Sequence, residues 1–421
     1  MEQANQQVIH HKQSEALSLQ SRFNFWLTGR RGGKTTGIIE DMCETIPRMP
    51  RKAGMIYVGP TNVQSKEIIW DDLIDRMDEL GWNPNPKITE QRVYVQGGRY
   101  VQVLGAEKIR RVRGKKYYKV YLDEVAYYTQ KLEKIWLAIR PTLSDYGGGA
   151  FVTTTPAGKG TDAYLFYMAA KAKDDWSIFE WDTANNPFID KSEIEAAKHE
   201  LDPKSFEQEY LAKWVSFDGL AYYPFDEARH IKKQPPVNYE LPISLTFDFN
   251  VNPTSLLVIQ NETGKHRLKR EYSLKSSSTI KTMENFCYDY KEHTKKIHLK
   301  IHGDASGSSR RSGTGFSDYH YIREMLTQHG YKFTMCVPAA NPAIVDRVNH
   351  TNSYLLNAAG ESKLEIDPSC KDTILDLSSQ TLEGRFPSDK GNLGHKGDAL
   401  GYYVYWNHIA ANRKHTGIVQ L

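Results

Sequence analysis

A run near the amino terminus combines residue types that hold phosphate groups. Residues 28–36 read Thr-Gly-Arg-Arg-Gly-Gly-Lys-Thr-Thr and directly follow the apolar run 23–27. Glycines let backbone N–H groups close around phosphate oxygens, a lysine neutralises the outer phosphates, and a threonine hydroxyl can ligate Mg²⁺. The residues predicted to bind a nucleotide in this way, with Thr35 also as a metal ligand, are Gly29, Arg30, Arg31, Gly32, Gly33, Lys34, Thr35 and Thr36.

The first glycine of this run is displaced. The common pattern G-x-x-x-x-G-K-[ST] needs a glycine at position 28, where the chain has Thr28, and Gly29 comes one place late. An ordinary surface turn rich in glycine and arginine is the alternative for this segment taken alone. The apolar strand before it and the helix predicted to open at Lys34 nevertheless give the physical setting of a phosphate-binding loop.

Two carboxylates, Asp123 and Glu124, end a second apolar run at 119–122. Because ligands of open parallel sheets bind at the carboxyl ends of strands, both acids stand where a nucleotide would lie. Asp123 is predicted to hold Mg²⁺ through water, and Glu124 to orient or deprotonate the attacking water. The threonines at 153–155 end another run and could sense the γ-phosphate, or could simply form a β-branched strand end.

Arginines near these motifs could stabilise the charge that spreads over a phosphoryl group during its transfer. Arg30 and Arg31 lie within the loop and are placed to act in cis. Arg113 precedes the strand that ends in the two acids and is a candidate to reach a neighbouring subunit. The alternative for Arg113, together with Arg110 and Arg111, is a solvated surface or a patch that contacts the DNA backbone.

Three further acids in the second half could form a separate site. Asp248 and Asp304 each end a strand-like run, and Asp398 lies near the start of a predicted helix. Clustered carboxylates could hold a pair of Mg²⁺ ions that activate water and stabilise a leaving 3′-oxygen. Each acid alone is more often a turn or cap residue. Three in this order predict a nuclease site in which all three are catalytic and metal-binding.

Several neighbours are candidates to assist these acids. His302, His395 and Asp318 are candidate additional ligands or supports of the ligands. Arg310 and Arg311, in the Ser/Gly-rich segment after the second acid, are placed to touch phosphate.

Composition sets broad limits on the chain. Its 421 residues favour two domains, and its net charge of +4 permits polyanion binding without arguing for it. The four cysteines show no C-x-x-C spacing, so neither a zinc site nor a disulfide framework is expected. The start lacks the order of a secretion signal, and no apolar run is long enough to span a membrane. We expect a protein of a reducing compartment without a membrane partner.

Patterning along the chain predicts its organisation. Strands alternate with helices in the first half, which favours a parallel α/β sheet, and residues 191–214 follow a helical pattern. Prolines and a glycine between 219 and 242 mark a linker, and strands of a meander follow it. The predicted domains are an ATPase core at 1–185, a helical lid and linker at 186–240, and a nuclease domain at 241–421, with a short tail from about Asn407.

Together these motifs resemble those of the large terminase subunit of tailed bacteriophages over nearly the whole chain. The displaced glycine, which weakens the generic match, is common in that family. The residues that carry the resemblance are Gln13, Ser21-Arg22-Phe23, Thr28 to Thr36, Tyr57 to Thr61, Trp70, Arg113-Gly114, Leu122-Asp123-Glu124, Thr153 to Pro156, Asn186-Pro187, Gln208 to Tyr210, Asp248, Gly303 to Gly307 and His395 to Tyr402.

The resemblance implies an α/β fold with two parts. A P-loop ATPase domain of the ASCE type, built on a parallel sheet, would be followed by a ribonuclease H-like α/β nuclease domain. Gln13 would contact the adenine of ATP, and Arg30 rather than Arg31 would be the catalytic arginine in cis. Arg113 would act on a neighbouring subunit of a ring, and the threonines at 153–155 would belong to a coupling motif.

The resemblance also implies a viral DNA-packaging motor. ATP hydrolysis would drive double-stranded DNA into the procapsid through a ring, a pentamer, docked on the portal protein. The nuclease domain, with Mg²⁺ or Mn²⁺, would cut concatemeric DNA, and a small terminase subunit would supply site recognition. The chain would act in the host cell cytoplasm and transiently on the procapsid portal.

Two other classes of protein remain as alternatives. A helicase-like or repair ATPase-nuclease would have the same two chemistries, although no second ATPase lobe is recognisable in the sequence after residue 185. A DNA-binding assembly protein without catalysis could keep the ATPase fold. Complete sets of acids in both halves argue against this last class.

Overall fold

Two compact units make up the chain. The first comprises Met1–Ala196 with Lys204–Ser216, and the second comprises Ala197–Pro203 with Phe217–Leu421. Within the described ranges, no helix combines the length and apolar character needed to cross a membrane. The structure is a computed structural model that describes residues 9–249, 254–274, 278–310, 315–384, 386–388 and 393–415. In the last helix, the side chains are described to residue 409.

An eight-stranded sheet forms the centre of the first unit. Its strands are β1 (Phe23–Thr28), β2 (Gly54–Gly59), β3 (Asn85–Lys87), β4 (Arg92–Val95), β5 (Arg99–Gly105), β6 (Lys119–Leu122), β7 (Gly149–Thr154) and β8 (Trp176–Trp181). They lie in the order β3-β4-β5-β2-β6-β7-β1-β8. The last six strands in this order, which are β5, β2, β6, β7, β1 and β8, are parallel to one another. Strand β7 is inserted between β1 and β6, as in ASCE ATPases, so the predicted fold class of this half is confirmed.

Helices cover both faces of this sheet. They are α1 (His11–Ser18), α2 (Lys34–Thr45), α3 (Asn62–Glu79), α4 (Leu132–Ile139) and α5 (Asp162–Lys171). Two further helices, α6 (Lys191–Glu200) and α7 (Pro203–Glu209), come later in the chain. Successive residues of a strand point to opposite faces. Phe25 therefore packs in the core that includes α4 and α5, and Trp26 packs in the core with α1, α2 and α3. Burial on both faces explains why β1 reads as an unbroken apolar run.

A six-stranded sheet forms the centre of the second unit, beside a small two-stranded one. The strands are β9 (Ile243–Asp248), β10 (Thr254–Glu262), β11 (Lys265–Leu274), β12 (His298–Gly303), β13 (Lys332–Met335) and β14 (Leu364–Ile366), then β15 (Leu382–Glu383) and β16 (Phe386–Pro387). The order is β13-β12-β9-β10-β11-β14, with an antiparallel β9-β10-β11 meander and β12 parallel to β9. This is the ribonuclease H-like arrangement, which confirms the predicted fold class of the second half.

The second unit has six helices in its described ranges. They are α8 (Glu227–His230), α9 (Thr279–Asp289), α10 (Asp318–Gln328), α11 (Ile344–Leu355), α12 (Lys371–Ser379) and α13 (His395–His415). Two apolar cores lie against the sheet, one containing Phe247 and Phe286 and the other containing Leu257 and Leu400. Thr246 of β9 donates a hydrogen bond of 2.6 Å to the Ala399 carbonyl of α13, which fixes the start of that helix beside β9.

Two segments differ from the sequence-based expectation. The helical pattern predicted at 191–214 is interrupted after Glu200, because Pro203 starts a separate helix that ends at Glu209. A proline has no N–H to donate and suits the first position of a helix, so it begins α7 instead of extending α6. Helix α13 continues past Asn407, where the sequence predicted a tail. The domain boundaries at 185 and 240 stay predictions.

Buried histidines make the second unit sensitive to acid. Burial lowers the pKa of His266 to about 4, with a smaller contribution from Lys363, and lowers that of His302 to about 4 as well. An unfolded histidine has a pKa of about 6.5, so unfolding takes up protons between these two values. The free energy of unfolding should therefore fall as the pH drops through this window, by about 2 kcal/mol per histidine between pH 7 and pH 5.

His266→Gln tests this prediction. Glutamine can still bond to the Tyr403 hydroxyl, which lies 2.7 Å from His266 Nδ1, but it does not titrate. Urea unfolding at pH 7 and pH 5 should show about 2 kcal/mol less pH dependence in the variant. His298→Gln, at an exposed position of β12, is the matched control and should behave like the unchanged chain. An equal loss of stability between pH 7 and pH 5 in the unchanged chain and in both variants would contradict the prediction.

Candidate functional site

The predicted phosphate loop lies between β1 and α2. Two of its residues, Arg31 (φ 61°) and Gly33 (φ 88°), adopt left-handed backbone conformations that form the tight turn into the helix. Left-handed backbone is readily available to glycine, which explains Gly33, whereas Arg31 adopts it at some conformational cost. The Gly37 N–H donates to the Gly33 carbonyl at 3.0 Å, so the helix begins directly after the turn.

Side chains from outside the loop hold four consecutive loop carbonyls. Thr183 Oγ1 donates to the Arg30 carbonyl at 2.7 Å, and Asn186 Nδ2 to the Arg31 carbonyl at 2.7 Å. The next two carbonyls, of Gly32 and Gly33, accept from Trp181 Nε1 at 2.8 Å and from Gln13 Nε2 at 2.6 Å. Because the carbonyls are turned toward these donors, the loop presents N–H groups rather than carbonyl oxygens to a ligand, as an anion site requires.

The position of the first glycine follows from packing around the loop. A Cβ on Gly29 would lie 2.4 Å from Thr183 Oγ1 and 2.5 Å from the Tyr210 carbonyl oxygen. The Gly29 N–H also donates to the Trp181 carbonyl at 3.1 Å. Gly29 is thus required by the backbone packed against it, while Thr28 is the last residue of β1. This explains why the glycine falls one place later than in the generic pattern.

Gly29→Ala should therefore weaken nucleotide binding. The added methyl must displace Thr183 or the backbone at Tyr210, and overpacking of this kind costs about 1–3 kcal/mol. We expect ATP affinity to fall by about 10-fold or more, measured by equilibrium titration. Gly160→Ala is the matched control, because a Cβ there meets nothing within 4 Å. Unchanged affinity in the Gly29 variant would contradict this account.

Lys34 and Glu124 meet at the carboxyl edge of the first sheet. The buried Lys34 Nζ lies 3.2 Å from Glu124 Oε1 and donates to Thr155 Oγ1 at 2.8 Å. Glu124 has a left-handed backbone (φ 53°), and its other oxygen accepts weakly from the Thr155 N–H at 3.4 Å. The lysine, the acid and the end of β7 thus form one cluster. Such a cluster can neutralise phosphate and deprotonate water.

Asp123 is the buried neighbour of this cluster. Its carboxylate accepts hydrogen bonds from the Tyr57 hydroxyl at 2.7 Å and from the Thr153 hydroxyl. Burial, and then the nearby charge of Glu124, raise the pKa of Asp123 to about 6. A carboxylate held at a strand end next to a phosphate loop has the oxygen donors that Mg²⁺ prefers, and a divalent cation would favour its charged form.

The other predicted nucleotide-site residues take varied positions. Gln13, expected to contact adenine, is buried, and its Oε1 accepts from the His10 N–H at 2.7 Å while its amide holds the loop. Arg30 is 67% exposed and pairs with Glu209 at 3.1 Å. Thr35 and Thr36 are half-buried at the start of α2. Arg113 is exposed and follows the 3₁₀ helix Ala106–Val112, and no ion pair among the described residues joins it to the loop.

Asp248 and Asp304 come together at the carboxyl edge of the second sheet. Asp248 ends β9, Asp304 follows the neighbouring parallel strand β12, and the Asp304 N–H donates to the Phe247 carbonyl at 3.2 Å. Asp304 Oδ1 accepts from the Ser306 N–H at 2.6 Å and from Asn341 Nδ2 at 2.8 Å. Parallel neighbours end at one edge, so the sheet itself brings these two acids together.

Asp398 joins them from the first turn of α13. Tyr402 follows one turn later in α13. Burial raises the pKa of the Tyr402 hydroxyl, and the charges of Asp304, Asp398 and Asp248 raise it further, opposed by Arg347. Arg347 of α11 bonds Asp398 directly, with 2.5 Å between Nη2 and Oδ1. The three predicted acids therefore lie in one region of the second unit, with an unpredicted arginine bonded to Asp398.

The other side chains predicted to assist this site separate into two groups. His395 lies beside Asp248, with 3.1 Å between Nδ1 and Oδ2, and this hydrogen bond raises the pKa of His395. His302 is buried edge-on to a tyrosine ring, and Asp318 begins α10 and accepts from Thr279 at 2.5 Å. His302 and Asp318 therefore make structural contacts within the second unit. Arg310 is exposed, and Arg311 lies outside the described residues.

Comparison with known proteins agrees with this geometry. Residues 26–229 match the family described as "Terminase large subunit, T4likevirus-type, N-terminal". The chain therefore resembles large terminase subunits. A terminase large subunit of Escherichia phage T5 is 22% identical over 180 residues, a match that spans 42% of this chain and 41% of that relative.

Solved large terminase structures share the fold over 94% of the chain. The large terminase of a thermophilic bacteriophage superposes with a TM-score of 0.58 at 17% identity, covering 94% of this chain and 98% of that one. A second structure of that protein, in complex with ATP-γ-S, gives 0.57 at 18% identity with the same coverage. At these identities the likeness establishes the fold.

The acids of the second unit do not form a ready-made metal cluster. Within the described part of the chain, no three His, Cys, Asp or Glu side chains converge closely enough to hold a metal ion. Asp248 faces His395 and Asp398 faces Arg347 instead. The donors nevertheless fit a hard cation in type, because all three acids are carboxylates at one edge.

Sequence reasoning missed several residues that shape both sites. Trp181 and Thr183 hold loop carbonyls, and Asn341 and Arg347 hold two of the acids. Asp376 of α12 also accepts from the Lys396 and Gly397 N–H groups at 2.8 and 3.2 Å, capping the first turn of α13. Each acts across a long sequence separation, and no local pattern in the sequence marks any of them.

Proposed function

We propose that this chain is the ATP-driven subunit that moves double-stranded DNA into the procapsid of a tailed bacteriophage and cuts concatemeric DNA. The observation that carries the proposal is the presence of two separate reactive edges on one chain. Lys34 pairs with Glu124 at the edge of the first sheet, and Asp248 and Asp304 stand at the ends of two neighbouring parallel strands at the edge of the second. The match of residues 26–229 to a large terminase family model and the fold shared with a large terminase over 94% of the chain support this proposal.

ATP hydrolysis is assigned to the cluster around Lys34. The N–H groups of the loop and Lys34 would hold the β- and γ-phosphates, while Glu124 takes the proton of the water that attacks the γ-phosphate. Thr35 and Asp123 would hold Mg²⁺, which supplies positive charge on the phosphate oxygens. Arg30, largely exposed, is free to turn from Glu209 toward the phosphoryl group and stabilise its charge in cis.

Coupling to DNA movement is assigned to the end of β7 and to a ring of subunits. Thr155 contacts Lys34 and Thr153 contacts Asp123, so one strand touches both halves of the nucleotide site. A change at the γ-phosphate would therefore displace β7. In a ring, a pentamer docked on the portal, the exposed Arg113 would reach the nucleotide of a neighbouring subunit.

DNA cutting is assigned to the three acids of the second unit. A divalent cation, Mg²⁺ or Mn²⁺, held by Asp248 and Asp304 with Asp398 completing the acidic set, would polarise the scissile phosphate and lower the pKa of water. Asn341 and the Ser306 N–H orient Asp304 for that role. A small terminase subunit would choose the site of cutting. The chain would work in the host cytoplasm and on the portal.

A packaging assay tests the motor proposal. Empty procapsids bearing portal, linear DNA, ATP and the purified chain should yield DNA that resists DNase. ATP-γ-S in place of ATP should yield none. DNA-stimulated ATP hydrolysis without any protected DNA would overturn the motor proposal and favour a helicase-like ATPase-nuclease.

A further inference from the structure

A cluster of basic side chains in the first unit takes no part in the reactions assigned above. Within the 3₁₀ helix Ala106–Val112, Ile109 and Val112 are buried in the core that includes α4 and α5. Residues three apart share one side of a 3₁₀ helix, so the residues between them face away from that core. The basic patch is defined as Lys108, Arg110 and Arg111 of this helix, Lys115 after it and Arg92 of β4.

The β4-β5 hairpin places Arg92 beside Lys115. Arg92 and Gln102 are cross-strand partners, and Lys115 Nζ donates to Gln102 Oε1 at 3.4 Å. Burial, and then the charges of Arg92 and Arg111, lower the pKa of the half-buried Lys115. Three cations from separate segments of the chain are therefore close enough to repel one another.

Little negative charge compensates the basic patch. Among the described residues, its four members other than Arg92 form no ion pair with an acid. Arg92 lies 3.6 Å from the half-exposed Glu90. Lys116, next in the chain, differs from the patch because it pairs with Asp145 at 2.9 Å. Like charges that the fold holds together destabilise the unit until an anion binds, so the patch favours an anionic ligand.

The extent of the patch and its surroundings indicate the kind of anion. Its 3₁₀ helix spans about 14 Å, so a small anion would contact one or two of the cations, whereas a row of phosphates can contact them all. The nearby rings are already occupied. The Arg92 guanidinium lies 4.3 Å from the centre of the Tyr100 ring, and Tyr117 is fully buried with its hydroxyl 2.9 Å from Gln102 Oε1. Neither ring is free to stack on an unpaired base, which favours the backbone of a duplex over a single strand.

We propose that the basic patch binds the phosphate backbone of duplex DNA, whatever its base sequence. The inference rests on the proposed packaging function and names a surface of the first unit that contacts the DNA. Each cation that neutralises a phosphate releases a counterion, so the affinity falls as the salt concentration rises. Arg113, assigned above to the nucleotide of a neighbouring subunit, is not a member of the patch.

The salt dependence of DNA binding tests the inference. Fluorescence anisotropy measures binding of the full chain to a labelled duplex over a range of salt concentrations, without nucleotide and in EDTA to prevent cutting. In a plot of log affinity against log salt concentration, Arg111→Gln and Lys115→Gln should each reduce the slope by about 1, and the double variant by about 2. The loss of affinity should be the same for duplexes of unrelated sequence.

Lys116→Gln is the matched control. It removes the same charge from the adjacent position, but its ammonium already pairs with Asp145, so the slope should equal that of the unchanged chain. ATP turnover measured without DNA should also be unchanged in Arg111→Gln, because that residue lies outside the nucleotide site.

Two outcomes would overturn the inference and leave the packaging proposal standing. One is a duplex-binding chain whose slope is unchanged in the Arg111 and Lys115 variants. The other is a single strand that binds more tightly than a duplex of equal length and loses that affinity in the same variants. Failure of the packaging function would look different, because the unchanged chain would then bind no duplex DNA at all, and both proposals would be wrong.

Discussion

Replacing Glu124 with glutamine should nearly abolish ATP turnover while DNA cutting continues. Glutamine keeps the size of the side chain and an oxygen for the weak bond from the Thr155 N–H, but it cannot take a proton from water. Loss of a general base typically costs about 100-fold to 10,000-fold in rate. Phosphate release at saturating ATP measures turnover, and nicking of plasmid in Mn²⁺ measures cutting.

Binding of ATP separates the chemical role of Glu124 from a structural one. Lys34 keeps its bond to Thr155 in the variant, so the affinity for ATP should stay within a few-fold. Glu133→Gln, an exposed acid of α4 in the same unit, should leave turnover unchanged. Persistent turnover in the Glu124 variant, or loss of both activities from a folded protein, would refute the assignment.

The reverse result is expected for Asp304→Asn. DNA cutting should be lost, while ATP turnover stays close to that of the unchanged chain. Asparagine preserves an oxygen for the Ser306 N–H and for Asn341, so the backbone after β12 should hold its shape. The loss should exceed the roughly 10-fold to 100-fold effect typical of residues that only orient a metal ligand.

Cation titration and a surface control complete this test. Raising the concentration of Mn²⁺ should not restore cutting, because the negative charge that holds the cation is gone. Glu284→Gln, an exposed acid of α9 in the same unit, should cut normally. Cutting that survives in Asp304→Asn would move the nuclease site elsewhere in the chain.

Much of the fold could be predicted from local patterns. Strand β1 is buried on both faces and reads as a continuous apolar run, whereas apolar and polar residues alternate along β4 and β5, which pair as a hairpin around Gly97 and Gly98. The break before α7 was not predicted, because the helical periodicity of side chains continues across Pro203. Periodicity reports which residues face a core, and it says less about where the backbone turns.

Of the residues that form the two sites, only the acids, the glycines and the loop lysine could be predicted from the sequence. Asp123 and Glu124 follow directly after β6, and Lys34 begins α2 after the loop that follows β1, so a parallel sheet must bring them to one edge. The partners that hold them come from distant segments through single hydrogen bonds, as with Thr183 on the loop and Arg347 on Asp398. Such contacts depend on tertiary structure and have no signature within a window of sequence.

The bond from Trp181 to the phosphate loop gives the chain an intrinsic fluorescent reporter. The indole N–H donates to the Gly32 carbonyl at 2.8 Å, and the ring packs 4.9 Å from Trp26 and 5.8 Å from His10. Indole emission responds to the polarity and hydrogen bonding of its surroundings. Movement of the loop on nucleotide arrival would therefore shift the emission of unlabelled protein, and the kinetics of that arrival could be followed in real time without a dye.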